Sequence, residues 1–180
     1  NASDRYILTY FCGAAVNGIY AVSYKIPSIL SALQSIFYNA WSISSITEFD
    51  EAVEKHFLDS LSLVRVISLD SNWRILDLGT GAGFPGIPLK IFFPKLNMIL
   101  MDSLNKRVLF LRDVIEKLQL KNIEAMHGRA EEMARKKEHR EKFDICVSRA
   151  VANISTLSEY CLPFVKKGGK FIPYKAGRIE

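Results

Sequence analysis

Apolar and polar positions alternate along this chain with two periods in turn, short apolar runs and longer stretches of helical spacing. From Thr47 or Asp50, either of which can cap a helix, Val53, Phe57, Leu61 and Val64 recur at helical intervals, while Glu54, Lys55 and Asp59 occupy the opposite face. After the Asp70-Ser71-Asn72 turn, Arg74 to Leu78 reads as a short buried strand, and a glycine-rich loop then opens a helix through Lys90 and Ile91. The unit repeats. Asn97 to Met101 is a strand, and Leu104, Val108, Leu111, Ile115 and Leu118 then mark one face of a helix. Ile123 to Met126, Phe143 to Val147 and Lys170 to Pro173 supply three more strands, with helical segments near Ala130 to Lys136 and Ile154 to Leu162 between them. Strands alternating with helices imply βαβ crossovers, so the predicted fold is α/β, a parallel-rich twisted sheet with helices on both faces.

The charge pattern divides the chain. Residues 6–47 carry a single charged side chain, Lys25, in a protein with 24 basic and 19 acidic residues. Tyr6 to Tyr24 is about as long as a membrane span, but Asn17, Gly13, Gly18, Thr9 and Ser23 interrupt it. A helical N-terminal lead-in over 1–47 is therefore expected instead of an anchor, followed by one α/β domain over 48–180. With 180 residues, one core is the expectation; 49% hydrophobic and 24% charged composition excludes wholesale disorder and a polytopic membrane protein. A net charge of +5 permits a polyanionic partner such as RNA without requiring one. Cys12, Cys146 and Cys161 are odd in number and lack metal-ligand spacing, and His56, His127 and His139 lie far from them in sequence. Neither a disulfide framework nor a metal site is expected, and reduced thiols fit a cytoplasmic location.

The candidate chemistry sits in Asp77-Leu78-Gly79-Thr80-Gly81-Ala82-Gly83-Phe84-Pro85-Gly86, at the end of the first strand. Gly81, Gly83 and Gly86 satisfy the spacing of dinucleotide-binding loops, and Asp102 lies where a ribose-binding acid should. That match alone is weak. Asp77, read as a carboxylate at the rim of the loop, discriminates further, because a pyrophosphate would meet its negative charge. S-adenosylmethionine suits such a loop better: it has no phosphates, and its ammonium and sulfonium are cations. A purely structural turn, with Asp77 capping the helix, is the bland alternative.

These strings also carry a resemblance. Asp77 to Leu89, Asp102-Ser103-Leu104-Asn105-Lys106-Arg107, Gly128-Arg129-Ala130-Glu131, and Phe143-Asp144 with Ser148-Arg149-Ala150 closely resemble the RsmG (GidB) family. The upstream Ile46-Thr47-Glu48 and Glu54 to Leu61 resemble it as well, so the likeness covers about residues 46 to 177. It implies a Rossmann-like class I fold and a bacterial methyltransferase that forms 7-methylguanosine in 16S ribosomal RNA from S-adenosylmethionine; a monomer without a metal is expected. By that resemblance Gly79, Gly81 and Gly83 line the methionine and ribose, with Phe84 in the same loop. Asp102 and Ser103 take the ribose, and Ala130 and Glu131 flank the adenine. Ser148 and Arg149 end the fourth strand, where the target base approaches, and Arg149 and Lys175 are the expected catalytic residues.

Guanine N7 has a lone pair and no proton, so its methylation needs no general base, and rate must come from positioning and from donors to O6 and phosphate. Arg149 suits phosphate or O6; a salt bridge to Asp144 or another acid is its structural alternative. His56, Asp59 and Ser60 form a helix-face cluster able to order the cofactor pocket or its loop. Residues 129–142 hold six basic and four acidic side chains, read as a solvated helix and loop. Lys106 and Arg107 lie in the first turn of a helix, where the dipole disfavours cations, which points to an external anion. The chain departs from the family at Ser42-Ile43-Ser44-Ser45, in its uncharged lead-in and at Lys175-Ala176-Gly177. It also ends just after the fifth strand, where a class I sheet adds a sixth and seventh, so a C-terminally truncated domain is expected. A nicotinamide-dependent oxidoreductase and a non-catalytic RNA-binding module are the competing readings.

Overall fold

A computed structural model describes His56 and residues 59–69, 72–149 and 153–174. The lead-in over 1–47, the first turns of the helix expected from Thr47 or Asp50, and Lys175 lie outside the described residues. Strands β1 (Arg74–Leu78), β2 (Asn97–Asp102), β3 (Ile123–His127), β4 (Phe143–Arg149) and β5 (Val165–Tyr174) form one sheet in the order β3-β2-β1-β4-β5. Every pairing is parallel. Helical segments α1 (Asp59–Leu61), α2 (Gly86–Phe92), α3 (Asn105–Lys117), α4 (Ala130–Met133) and α5 (Ile154–Cys161) precede or connect the strands.

The two-residue period of a strand explains how both sheet faces are filled. Leu76 and Leu78 of β1 join Ile99, Met101 and Cys146 on one face, where Met133 of α4 and Leu157 and Cys161 of α5 cover them. Asp77 and Leu100 lie against the start of α2 on the other face, and α3 presents buried Val108, Leu111 and Val114. Central strands β1 and β2 are buried along nearly their whole length, whereas edge strands β3 and β5 each bury a single residue, Ala125 and Tyr174. β1 sends its chain outward through β2 to β3, and β4 then returns to the opposite side of β1. The carboxyl ends of β1 and β4 therefore flank a topological switch point, where open α/β sheets hold ligands.

Three elements differ from expectation. The helix before β1 tightens into a 3-10 turn over Ser62–Arg65. Tyr174 donates to the Ser60 carbonyl at 2.7 Å, competing for the acceptor that residue 64 would need to continue the α-helix. α4 ends at Met133 instead of running to Lys136, because past Met133 and Ala134 every side chain to Lys142 is charged or histidine and no apolar face remains to bury. β5 begins at Val165, earlier than the expected Lys170, through a register shift against β4 that passes Gly168 at φ 82°. A Cβ on Gly169 would lie 2.7 Å from the Asp144 carbonyl oxygen, so the irregular stretch needs its glycine. The backbone there pairs despite polar side chains, because β5 is an edge strand in this sheet.

Gly86 sits where α2 meets the sheet. A Cβ there would press on the Leu100 side chain and lie 2.7 Å from Asp77 Oδ2. Gly81 differs: its Cβ would meet nothing, and only its φ of 61° resists a side chain. Urea unfolding should show Gly86→Ala losing about 2 kcal/mol to overpacking, and Gly81→Ala losing about 1 kcal/mol to backbone strain.

Candidate functional site

The loop from Gly79 to Pro85 leaves β1 with Gly79, Gly81 and Gly83 all at positive φ. Gly79 and Thr80 donate their amides to the Met101 carbonyl at 2.8 and 3.1 Å, which stitches the loop to the end of β2. Asp102, 3% exposed, secures it from the same strand end. Its Oδ2 accepts the Gly81 amide at 2.9 Å and faces Arg107 at 3.4 Å, while Oδ1 accepts the Leu104 amide at 2.9 Å. A carboxylate offers about four lone-pair directions, so Asp102 keeps acceptor capacity for a ligand hydroxyl. Arg107 is thus occupied by the protein itself, and Arg112 donates to the Ala125 carbonyl at 3.2 Å; an external anion is not needed to account for either.

Asp77 lies beneath the loop, not at its rim. It is fully buried, and its Oδ2 accepts both the Thr80 hydroxyl at 2.7 Å and the Gly86 amide at 2.8 Å, so it also caps α2. Among the described residues its Oδ1 has no hydrogen-bond partner. Burial pushes this carboxyl up to about 6, against the two hydrogen bonds and the Arg149 charge, which pull it down.

A cleft opens beside the loop. Gly79, Asp102, Ser103, Ala130, Glu131 and Ser148 all line it, so five of the residues anticipated for a cofactor, together with Ser148 of the anticipated base side, come to one place. Leu78, Met101 and Leu157 add apolar surface, and Tyr160 adds an aromatic ring. Leu157 and Tyr160 were not anticipated; their spacing of three on α5, following a strand that ends at the switch point, is the signal that sequence carries for them. Ser148 is tied to β1 by its hydroxyl, which donates to the Leu78 carbonyl at 2.7 Å. His127 meets the Ser103 carbonyl at 3.0 Å and so braces the far wall. Two carboxylates, Asp102 and Glu131, face one cation, Arg129, across this lining. Buried beneath the loop, Asp77 puts no charge at its rim for a pyrophosphate to meet.

Phe84 and Arg149 are not among the residues lining that cleft; they meet each other elsewhere on the loop. The Arg149 guanidinium carbon lies 5.1 Å from the Phe84 ring centroid, its Nη2 is 2.9 Å from His56 Nδ1, and its Nη1 is 3.5 Å from Asp59. The salt bridge expected of Arg149 with Asp144 or another acid is made to Asp59; Asp144 instead pairs with Lys166 and accepts the Arg74 amide at 2.9 Å. Among the described residues no group of three or more His, Cys, Asp or Glu side chains could hold a metal ion, and no helix is long and apolar enough to cross a membrane.

The fold and the placement of this cleft define a class. The solved structure of coclaurine N-methyltransferase bound to N-methylheliamine and S-adenosylhomocysteine superposes with a TM-score of 0.56, at 16% identity over 72% of this chain and 37% of that one. The protein has the Rossmann-like α/β fold of S-adenosylmethionine-dependent methyltransferases. The family model described as rRNA small subunit methyltransferase G matches residues 34–180. Ribosomal RNA small subunit methyltransferase G of Lachnoclostridium phytofermentans is 63% identical over 138 residues, 77% of this chain and 57% of the relative. The protein of that name from Alkaliphilus metalliredigens is 52% identical over 139 residues, 77% of this chain and 58% of the relative. The chain belongs to the rRNA small subunit methyltransferase G family, GidB, and spans a little over half the length of these relatives.

The buried Asp77 carboxyl gives a pH signature. Below its ordinary value of 3.8 it is protonated folded or unfolded, and above about 6 it is charged in both states. Between these limits the folded protein holds more protons, so stability falls as pH rises, by about 3 kcal/mol across the window. Urea unfolding from pH 3 to 7 should show this decline in the difference between wild type and Asp77→Asn.

Proposed function

We propose that this protein transfers a methyl group from S-adenosylmethionine to N7 of a guanine in 16S ribosomal RNA. Family membership carries the reading, and the chemistry of the cleft supports it. Bound S-adenosylmethionine supplies a methyl group made electrophilic by its sulfonium.

Each residue's part follows from its surroundings. The positive-φ glycines Gly79, Gly81 and Gly83 shape a backbone that a ligand can approach closely. Asp102, already oriented by two amides, accepts ribose hydroxyls with Ser103. Ala130 and Glu131 flank the adenine, the one by its small apolar surface and the other by its acceptor oxygens, while Leu157 and Tyr160 exclude water from the same cleft. Asp77, mostly ionised at neutral pH, sets a negative charge under the loop that favours a cationic ligand.

Ser148 and Arg149 at the end of β4 mark the side from which the guanine arrives. N7 presents its own lone pair, so no residue has to remove a proton. Arg149, with Lys175 from the chain beyond β5, donates to O6 and phosphate oxygens and offsets the positive charge that grows on the base. A net charge of +5 favours approach to RNA. The substrate is 16S ribosomal RNA in the small subunit or its precursor, methylated in the cytoplasm.

The test is transfer of labelled methyl by the full-length protein to small ribosomal subunits lacking the modification, followed by nucleoside mass spectrometry. Labelled 7-methylguanosine is the expected product, and labelling at any other position would overturn the assignment. In calorimetry, Asp102→Asn should weaken S-adenosylmethionine binding about tenfold, the worth of one charge-assisted hydrogen bond.

A further inference from the structure

Arg149 extends from the end of β4 into a socket made by three groups from two other parts of the chain. His56 Nδ1 lies 2.9 Å from Nη2, Asp59 Oδ2 lies 3.5 Å from Nη1, and the Phe84 ring lies under the guanidinium at 5.1 Å. The His56 ring rests on the same Phe84, with centroids 5.1 Å apart and planes inclined by 33°. The cofactor loop thus forms the floor of the socket, and the segment before β1 forms its wall. The arginine side chain is 17% exposed, whereas Asp59 is 48% exposed.

The three contacts differ in kind. Asp59 is distant and solvated, so its attraction is screened and directs the guanidinium weakly. Phe84 sets the plane but allows the group to slide over the ring. The contact at His56 Nδ1 is a short hydrogen bond to one nitrogen, which sets rotation within that plane, and because a guanidinium can only donate, Nδ1 accepts and brings no negative charge. A carboxylate at that position would orient the guanidinium and cancel its charge as well. A guanidinium has five N–H donors, so the socket leaves donors for an incoming ligand.

We propose that His56, assisted by Asp59, is a positioning residue that locks the Arg149 guanidinium on Phe84 in the orientation from which it donates to the target guanine. The inference rests on the methyl-transfer reading above. A long, flexible arginine ordered before the base arrives loses less freedom in the transition state, and a misplacement of about 1 Å costs on the order of a hundredfold in rate.

The full-length protein, His56→Ala, His56→Asn, Arg149→Ala and the His56→Ala/Arg149→Ala double variant are compared on small subunits lacking the modification. Thermal midpoints are recorded alongside. His56→Ala should lower kcat at least tenfold with KM for S-adenosylmethionine changed less than twofold. His56→Asn, whose side-chain oxygen replaces Nδ1 as acceptor, should recover kcat to within about threefold of wild type. In the Arg149→Ala background, His56→Ala should cost nothing more. Additive losses in the double variant, or an Asn variant as slow as the Ala variant, would overturn the positioning role while leaving the methyltransferase reading intact. A folded wild type that transfers no methyl would overturn both. Side-chain nitrogen NMR gives a second readout: guanidinium rotation of Arg149 should be slow in wild type and fast in His56→Ala, and equal rates would refute the lock.

Discussion

One oxygen atom, Oδ2 of Asp77, joins the strand, the loop and the helix on which the site is built. It takes the Thr80 hydroxyl from within the loop and the Gly86 amide from the start of α2, all inside a fully buried volume. Burying a carboxylate is unfavourable, and its two hydrogen bonds only partly offset that, as its raised protonation range records. What the arrangement provides is definition: the loop has one way to leave β1 and one way to enter α2. Gly86 is required because the carboxylate occupies the space a side chain would need. Asp102 applies the same device from the neighbouring strand, holding Gly81 and Leu104 by their amides.

The parallel α/β order was legible because its signals are local. Arg74–Leu78 is a short apolar run between polar turns, and the apolar face of α3 follows helical spacing without interruption. Glycines at fixed intervals announced a loop of unusual backbone, and Asp102 announced its own strand end. Side-chain direction was not legible. Asp77 next to three glycines reads equally as a rim acid or a buried cap; only the pairing of β1 with both β2 and β4 turns it inward against α2. The beginning of β5 was missed because Lys166, Lys167, Gly168 and Gly169 disfavour strands by themselves, and their pairing is imposed by β4. Leu157 and Tyr160 were read only as part of a crossover helix, since nothing in their spacing distinguishes a cleft wall from a core face.

The histidine, aspartate and arginine of the socket illustrate a further limit. His56 and Asp59 are close in sequence and Arg149 is 93 residues beyond His56, so no spacing rule connects them. Their juxtaposition follows from the position of β4 beside β1, which places Arg149 next to the Gly79–Pro85 loop and the segment that leads into β1.

The strand order has a consequence for how such a protein changes over time. The loop and most of the polar cleft hang on β1, β2 and the turn after β3, whereas Ser148 and Arg149 belong to β4, across a seam of three paired residues. Ser148 nevertheless lines the cleft, and Arg149 rests on Phe84 of the loop, so the two halves of the sheet meet at these residues. A substitution on the β4 side is therefore felt across the seam, and neither half changes alone. The Ser148 hydrogen bond to Leu78 carries the β1–β4 ladder one step further, to the edge of the cleft.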